Sequence, residues 1–154
     1  MGPSKIVKCF GWTADEARAL AERIMTNLIR GLRVLVVEDE YLIALMIAEI
    51  LEQAGYEVVG PVSSLDSALK LGHPHNMDSG LLDVNLNGEM VYPLADKLDS
   101  FNLPYVFVTG YGAVKLPERF RERPVLAKPF MPHVLLQTLQ DVAAKGDRFN
   151  PATP

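Results

Sequence analysis

The amino-acid sequence predicts an α/β fold in which helices cover both faces of a parallel β-sheet. The first observation behind this prediction is a series of short, β-branched apolar segments, which are typical of strands buried on both faces. The second is that longer segments with apolar residues at helical spacing lie between them, joined by short connections. Strands and helices that alternate in this way form a parallel sheet, because each helix returns the chain to the start of the next strand.

Five strands are predicted from the apolar segments. The first, residues 33–37, has the sequence RVLVV, and the third, residues 79–83, ends at an acid. Residues 85–90, which follow the third strand, have a turn-like composition. The other three strands are predicted at residues 56–60, 105–108 and 125–127. Because crossovers between parallel strands are right-handed, few topologies remain for this sheet.

Four helices are predicted around the sheet. In the segment 41–54, apolar residues recur at positions 42, 43, 46, 47, 50 and 51, which predicts a wide buried face, and Gly55 ends the helix. A second helix follows Ser63, which we predict to be its N-cap. Pro93 belongs to the first turn of the third helix, which runs to about residue 100. The last helix is predicted over residues 132–145.

Residues 1–32 are predicted to form an N-terminal extension that is mostly one amphipathic helix. Thr13 and Glu16 have the spacing of a capping box, and apolar residues follow at positions 17, 20, 21, 24 and 28. The helix is therefore predicted over residues 14–29. Its apolar stripe leaves three roles open: packing on the main domain, forming a homodimer, or docking a partner. An alternative is that Met25 is the natural start of the chain.

The composition is that of an ordinary globular domain and excludes disorder for the chain as a whole. Of the 154 residues, 49% are hydrophobic and 22% are charged. The net charge of −4 argues against nucleic-acid binding, which needs clustered Lys and Arg. The longest wholly apolar run has eight residues, whereas a membrane-spanning helix needs about 20. Because Cys9 is the one cysteine, no internal disulfide can form, and we expect a reducing, cytoplasmic setting.

Charged and polar side chains stand where four of the predicted strands end. Glu38 and Asp39 follow the first strand, and Asp83 closes the third. Thr109 follows the fourth strand, and Lys128 follows the fifth. Ligand sites of open α/β sheets lie at the carboxyl ends of the strands. We therefore expect these five side chains to meet at one edge of the sheet.

This set of groups indicates phosphoryl chemistry that depends on a divalent cation. Carboxylates 4 Å apart repel by roughly 4 kcal/mol per pair at an effective dielectric of 20, so they need a cation, and hard oxygen ligands suit Mg²⁺. A carboxylate such as Asp83 is able to accept a phosphoryl group and form an aspartyl phosphate. Thr109 and Lys128 would then bind two of the phosphoryl oxygens. Glu38 and Asp39 have a plainer interpretation, as acids that offset a helix dipole, but this does not account for Asp83 and Lys128.

Four segments, in this order along the chain, resemble the receiver domain of two-component response regulators. They are VLVVEDE at 34–40, LLDVNLNG at 81–88, VTGYG at 108–112 and AKPF at 127–130. The resemblance implies a receiver domain over residues 33–146, followed by a tail at residues 147–154. It also implies a flavodoxin-like, doubly wound sheet of five parallel strands in the order 2-1-3-4-5.

The resemblance implies a role for the acids at the strand ends. Asp83 would be the phosphoacceptor, and a histidine kinase or histidine phosphotransfer protein would be the donor. Glu38, Asp39 and Asp83 would hold Mg²⁺ together with the backbone carbonyl of Asn85. The expected cofactor is therefore Mg²⁺, and the expected first partner is a phosphohistidine protein.

The resemblance also implies how the domain would sense the phosphoryl group. Thr109 and Lys128 would be the phosphate-sensing pair, and the Lys128–Pro129 peptide bond would be cis. Most receivers carry Tyr or Phe three residues before this lysine, where the present chain has Val125. We therefore expect the residues after Thr109 to respond to phosphate in place of an aromatic switch. This predicted switch loop consists of Gly110, Tyr111 and Gly112 and extends toward residue 120.

A narrower resemblance concerns residues 104–112, whose sequence is PYVFVTGYG. It is similar to the PFxFATGY motif of a subfamily of single-domain regulators, from which Tyr105 and Val108 depart. Only eight residues follow Gly146, so we expect a receiver without an output domain. Such a protein would signal through contact with a downstream protein that the sequence does not identify.

The sequence also allows two alternatives to a phosphorylated receiver, namely a pseudo-receiver and a phosphatase. A pseudo-receiver would bind partners without accepting phosphate, but the complete set of strand-end residues argues against it. A phosphatase with Asp83 as nucleophile would need a second acid two residues later, where this chain has Asn85. We therefore expect a phosphoacceptor domain whose only catalysis is its own phosphorylation and dephosphorylation.

Overall fold

The chain divides into two compact units, Met1–Arg30 and Gly31–Pro154. The computed structural model describes residues 11, 13–110 and 115–145. The predicted tail at 147–154 lies outside the described residues. The predicted limits of the extension and of the receiver domain therefore stay predictions.

The first unit contains helix α1, which spans Ala14–Ile29. The Thr13 hydroxyl accepts a hydrogen bond from the Glu16 backbone N–H at 3.2 Å. In return, the Thr13 backbone N–H donates to the Glu16 carboxylate at 2.7 Å. The predicted helix and its capping box are both confirmed. Three large apolar side chains of α1, those of Ile24, Met25 and Leu28, are exposed.

The second unit is built on a five-stranded parallel sheet. In chain order, the strands of the second unit are β1 (Arg33–Val37), β2 (Glu57–Val62), β3 (Ser79–Asp83), β4 (Asn85–Leu86), β5 (Glu89–Met90), β6 (Tyr105–Thr109) and β7 (Val125–Ala127). The five strands of the parallel sheet follow the order β2-β1-β3-β6-β7, which is 2-1-3-4-5 when only the strands of this sheet are counted. The predicted flavodoxin-like topology is therefore confirmed. The central strands are buried along almost their whole length, as their β-branched apolar sequences predict.

Strands β4 and β5 form a separate antiparallel hairpin directly after β3. The sequence predicts only a turn here, because each strand has just two residues. The four helices of the second unit lie between or after the strands of the large sheet. They are α2 (Tyr41–Gln53), α3 (Leu65–Leu71), α4 (Tyr92–Ser100) and α5 (Pro132–Lys145). None of the helices in the described part of the chain is long and apolar enough to cross a membrane.

Two details of the predicted helices are wrong. The buried face of α2 carries Ala44, Ile47, Ala48 and Leu51, whereas Leu42 is 78% exposed. Because residues 41–48 are all apolar, their spacing alone does not select the face that packs on the sheet. The N-cap of α3 is Ser64 rather than Ser63, since the Ser64 hydroxyl accepts a hydrogen bond from the Ser67 N–H at 3.2 Å. Adjacent serines make this one-residue ambiguity unavoidable in the sequence.

The connection from β6 to β7 contains a 3₁₀ turn at Glu118–Phe120. Phe120 is fully buried, and its ring lies 5.5 Å from the rings of both Tyr92 and Phe107. Arg119 on the same turn binds Asp96 of α4 at 2.8 Å. This aromatic contact and ion pair fix the end of the connection against α4, although residues 115–124 contain no regular α-helix.

Candidate functional site

The strand register brings the predicted site residues to the carboxyl edge of the sheet. Val37, the last residue of β1, pairs with Leu82 of β3, and Asp83 pairs with Val108 of β6. Thr109, at the end of β6, pairs with Ala127 of β7. The five strand-end side chains named from the sequence therefore leave neighbouring strands at about the same level.

Three carboxylates form a cluster at this edge. Glu38, Asp39 and Asp83 each offer a carboxylate oxygen, and these oxygens lie within 4.8 Å of one another. Glu38 is 2% exposed and Asp83 is 6% exposed, so two of the three carboxylates are buried. The backbone N–H of Asn85, the fourth predicted ligand residue, donates to Asp83 Oδ1 at 3.2 Å. This placement leaves the role of the Asn85 carbonyl as a prediction.

Lys128 brings a positive charge into the acid cluster. Its Nζ lies 2.6 Å from Glu38 Oε2 and 2.9 Å from Asp83 Oδ2, and the Lys128 side chain is only 10% exposed. The Lys128 backbone N–H donates to the Thr109 carbonyl at 2.8 Å, which holds the two residues side by side. The Lys128–Pro129 peptide bond is cis. The ammonium group therefore bridges two buried carboxylates.

The electrostatics of the cluster follow from its burial and from its excess of acid. Burial raises the pKa of Glu38 to about 7, and the nearby Asp83 charge acts in the same direction, against the hydrogen bonds from Lys128 and the Glu40 N–H. Burial alone would lower the pKa of Lys128, but its hydrogen bonds to Glu38 and Asp83 outweigh this effect and raise the pKa. Among the described residues, the ammonium of Lys128 is the one cation that pairs with this cluster of three carboxylates, and Glu40 Oε1 also lies 3.7 Å from its Nζ. The cluster is therefore short of positive charge.

The donor set of the cluster fits Mg²⁺. All three side chains offer hard carboxylate oxygens, which are the ligands that Mg²⁺ prefers. A divalent cation would also balance the two negative charges that one ammonium leaves when all three acids are ionised. Residues of this chain are therefore suited to hold the cofactor that the sequence predicts.

The phosphate-sensing residues and the switch loop are only partly described. Thr109 is 5% exposed at the end of β6, on the strand next to Asp83. Gly110 follows it, and a Cβ at that position would lie 3.9 Å from the Lys128 side chain. Tyr111 and Gly112 lie outside the described residues. The switch loop therefore stays a prediction.

Sequence reasoning missed one contact of the site. The backbone N–H of Asn87 donates to Asp39 Oδ2 at 3.1 Å. Asn87 has a φ of 53° and Gly88 a φ of 94°, and both residues lie in the turn of the β4–β5 hairpin. The Asn-Gly dipeptide is the usual signal for such a turn. The signal was present in the sequence, but it does not reveal that the turn contacts Asp39.

Comparison with known proteins identifies relatives in bacteria. The transcriptional regulatory protein PdtaR of Mycobacterium tuberculosis is 34% identical over 102 residues, which cover 64% of this chain and 50% of PdtaR. The phyllosphere-induced regulator PhyR of Methylorubrum extorquens is 33% identical over 128 residues, covering 77% of this chain and 44% of PhyR. The chain spans about half the length of the curated relatives it matches.

Solved structures are also similar to this chain. The solution structure of SdrG from Sphingomonas melonis has a TM-score of 0.66 and 38% identity, over 73% of this chain and 96% of the SdrG chain. A CheY-like receiver domain protein from Methanospirillum hungatei has a TM-score of 0.68 over 78% of this chain and 99% of that chain; at 22% identity, it supports the fold alone.

The family model of the response regulator receiver domain matches residues 34–140, well over half of the chain. The matched range contains all four segments that carry the sequence resemblance, and it includes every described residue of the acid cluster. The narrower resemblance to the PFxFATGY subfamily stays a prediction. The chain belongs to the response regulator receiver domain family, whose members are signalling domains.

Proposed function

We propose that this receiver domain accepts a phosphoryl group on Asp83 and signals through protein–protein contact. The donor would be a histidine kinase or a histidine phosphotransfer protein. The observation that carries the proposal is the position of the buried Asp83 carboxylate, between Asn85 N–H on one oxygen and Lys128 Nζ on the other. A carboxylate at the carboxyl edge of such a sheet, with an ammonium at 2.9 Å, is suited to nucleophilic attack on a phosphoryl group.

The proposed transfer moves one phosphoryl group between two proteins. An oxygen of the Asp83 carboxylate forms a bond to phosphorus while the bond between phosphorus and the donor's imidazole nitrogen breaks. The imidazole keeps the electron pair of the broken bond and takes up a proton from solvent. Lys128 is close enough to pair with a phosphoryl oxygen, and the Thr109 hydroxyl would donate to another. Preorganised donors of this kind contribute roughly 3–4 kcal/mol each to the stability of the transition state.

Mg²⁺ would be held by Glu38, Asp39 and Asp83, with the Asn85 carbonyl as a further ligand. When bound, it supplies positive charge that neutralises the phosphoryl oxygens during transfer. The acid cluster supports this part of the proposal, because its excess of carboxylates over ammonium groups is what a divalent cation would offset.

The phosphorylated state would be recognised through the residues that follow Thr109. Val125 is 46% exposed and stands where most receivers have an aromatic switch, and glycines flank Tyr111 in the loop after Thr109. We therefore propose that phosphate draws Thr109 toward Asp83 and reorders residues 110–120. Hydrogen exchange with and without a phosphoryl mimic tests this step. Unchanged protection across residues 110–120 would rule it out.

The proposed function is tested by intact-mass measurement after incubation with Mg²⁺ and a small-molecule phosphodonor. We expect the natural protein to gain one phosphoryl group and Asp83→Asn to gain none. Asp78→Asn is the matched control, since Asp78 is an ion-paired carboxylate just before β3, at the other edge of the sheet. It should be phosphorylated normally. If neither the small molecule nor a phosphohistidine protein labels the natural chain, the domain is a pseudo-receiver and the proposal is wrong.

A further inference from the structure

We infer that the turn of the β4–β5 hairpin positions the Asp39 carboxylate for Mg²⁺, and that Gly88 is the residue that makes this possible. The inference rests on the proposed function, because it concerns the same metal site. It assigns a task to Asn87 and Gly88, neither of which is among the predicted ligands of the metal site. Both act through the backbone, so they are positioning residues.

Each acid of the cluster accepts one backbone hydrogen bond. Asp83 Oδ1 accepts from the Asn85 N–H at 3.2 Å, and Glu38 Oε1 accepts from the Glu40 N–H at 3.0 Å. Both of these bonds join residues two apart in the chain, so they form wherever those segments fold. The bond from the Asn87 N–H to Asp39 Oδ2 joins residues 48 apart. Only this bond depends on how the hairpin lies against the β1–α2 connection.

Asp39 depends on the hairpin more than its neighbours do. Glu38 and Asp83 are buried and are also held by Lys128, at 2.6 and 2.9 Å. Asp39 is only partly buried, and among the described residues the Asn87 N–H is the one hydrogen-bond donor to its side chain. Without that donor, the Asp39 carboxylate would be free to rotate toward solvent, away from the other two acids.

The hairpin itself is well anchored. Leu86 is 3% exposed and packs in the core, and the Val91 N–H donates to the Val84 carbonyl at 3.0 Å. At the tip, the Asn85 side-chain Oδ1 accepts from the Gly88 N–H at 2.6 Å and closes the turn. The two central residues have φ angles of 53° and 94°, the positive values that a tight two-residue hairpin turn requires. The direction of the Asn87 N–H is therefore set by the turn conformation.

Substitution of Gly88 by alanine tests the role of this turn conformation without disturbing any packing. Its φ of 94° is one that residues with a Cβ adopt only with strain, yet a Cβ added there would meet no atom within 4 Å. Gly31 is a matched control, because it has a φ of 80° and equally open surroundings. Gly31 lies before β1, at the opposite edge of the sheet from the acid cluster. Alanine therefore imposes the same kind of strain at both positions, but only one of them is next to Asp39.

The test is the Mg²⁺ dissociation constant of the full chain, measured by calorimetry, together with the Tm in chelator. We expect Gly88→Ala to weaken Mg²⁺ binding by about tenfold, a typical cost of losing a partner of a metal ligand. Gly88→Ala and Gly31→Ala should lower the Tm in chelator by similar amounts. Gly31→Ala, however, should leave the Mg²⁺ affinity unchanged. Gly88→Asn should recover most of the affinity, because Asn tolerates positive φ better than other residues with a Cβ.

Each outcome separates the inference from the proposed function. If the natural chain binds Mg²⁺ and Gly88→Ala binds it equally well, the hairpin does not position Asp39, although the metal site stands. Equal loss of affinity in Gly88→Ala and Gly31→Ala would mean general destabilisation and would also overturn the inference. If the natural chain binds no Mg²⁺, the metal site is wrong, and both the inference and the metal-dependent part of the proposed function fall with it.

Discussion

The two edges of the parallel sheet each carry an ion pair, but the two pairs differ in charge balance. At the amino edge, Arg33 of β1 binds Asp78, with Nη2 2.9 Å from Oδ1 and Nε 3.1 Å from Oδ2. The Arg33 backbone N–H also donates to Asp78, at 2.8 Å, and the guanidinium donates to the carbonyls of Pro74 and His75. One cation meets one carboxylate, and the hydrogen bonds from Arg33 lower the pKa of Asp78.

At the carboxyl edge of the sheet, the charges do not balance. There, Lys128 is the one cation of the described residues that pairs with the cluster of Glu38, Asp39 and Asp83, and the pKa of Glu38 is raised rather than lowered. The amino-edge pair is complete, so it fastens Asp78 to the start of β1 and needs nothing more. The carboxyl-edge cluster lacks positive charge, so we expect its free energy to fall when a cation binds. In this domain, the cluster with the unbalanced charges is therefore the one suited to binding a cation.

The largest effect we expect at the carboxyl edge is stabilisation by Mg²⁺. At a hundredfold excess of Mg²⁺ over its dissociation constant, the free energy of unfolding should rise by about 2.7 kcal/mol. Urea unfolding with Mg²⁺ and with chelator measures this difference. Asp78→Asn should keep the full increase, whereas Asp83→Asn should reduce it because one ligand is lost. If Mg²⁺ leaves the free energy of unfolding of the natural protein unchanged, the predicted metal site is wrong.

A smaller effect is the pH dependence contributed by Glu38. Its folded-state pKa is raised from 4.5 to about 7, so the folded chain binds a proton that the unfolded chain has released. The stability that this proton contributes is complete below pH 4.5 and is lost as the pH rises through about 7. The slope should reach at most about 1.4 kcal/mol per pH unit.

Urea unfolding in chelator across this pH range measures the Glu38 contribution. Glu38→Gln should remove it, because the amide does not titrate, and should flatten the profile between pH 4.5 and 7. An equal slope in Glu38→Gln and in the natural protein would mean that another group is responsible.

The smallest effect we expect is the pH dependence of stability contributed by Asp78 at the amino edge. Its direction with pH is opposite to that of Glu38. The pKa of Asp78 lies below its ordinary 3.8, so its contribution is present above that pH and is lost as the pH falls through the folded-state value. Because the Asp78 side chain is 37% exposed, solvent screening limits the contribution to about 1 kcal/mol or less.

Asp78→Asn tests this amino-edge contribution by acid unfolding. The variant should lose the part of the acid transition that lies below pH 3.8, and its Mg²⁺ dissociation constant should not change. A change in Mg²⁺ affinity would show that the two edges are coupled, and the contrast between them would then be wrong.

Particular residues show how far sequence reasoning reached at the site. Asp83 and Lys128 are 45 residues apart, yet their meeting was predictable, because carboxyl ends of parallel strands share one edge. The bond from Asn87 to Asp39 was not predictable, since a turn signal says nothing about what lies beside the turn. The exposed Leu42 was assigned to the wrong face of α2 because the apolar residues around it carry no usable period.

The sequence by itself determined the fold class, the strand order through its family resemblance, and the residue types that stand at the strand ends. These features are local, because short apolar runs, capping residues and motifs are each contained in a few neighbouring positions. Only the tertiary structure decided that Lys128 bridges Glu38 and Asp83, and that the hairpin donates to Asp39. Such contacts depend on distances of a few ångströms between segments far apart in the chain, and no local pattern encodes those distances.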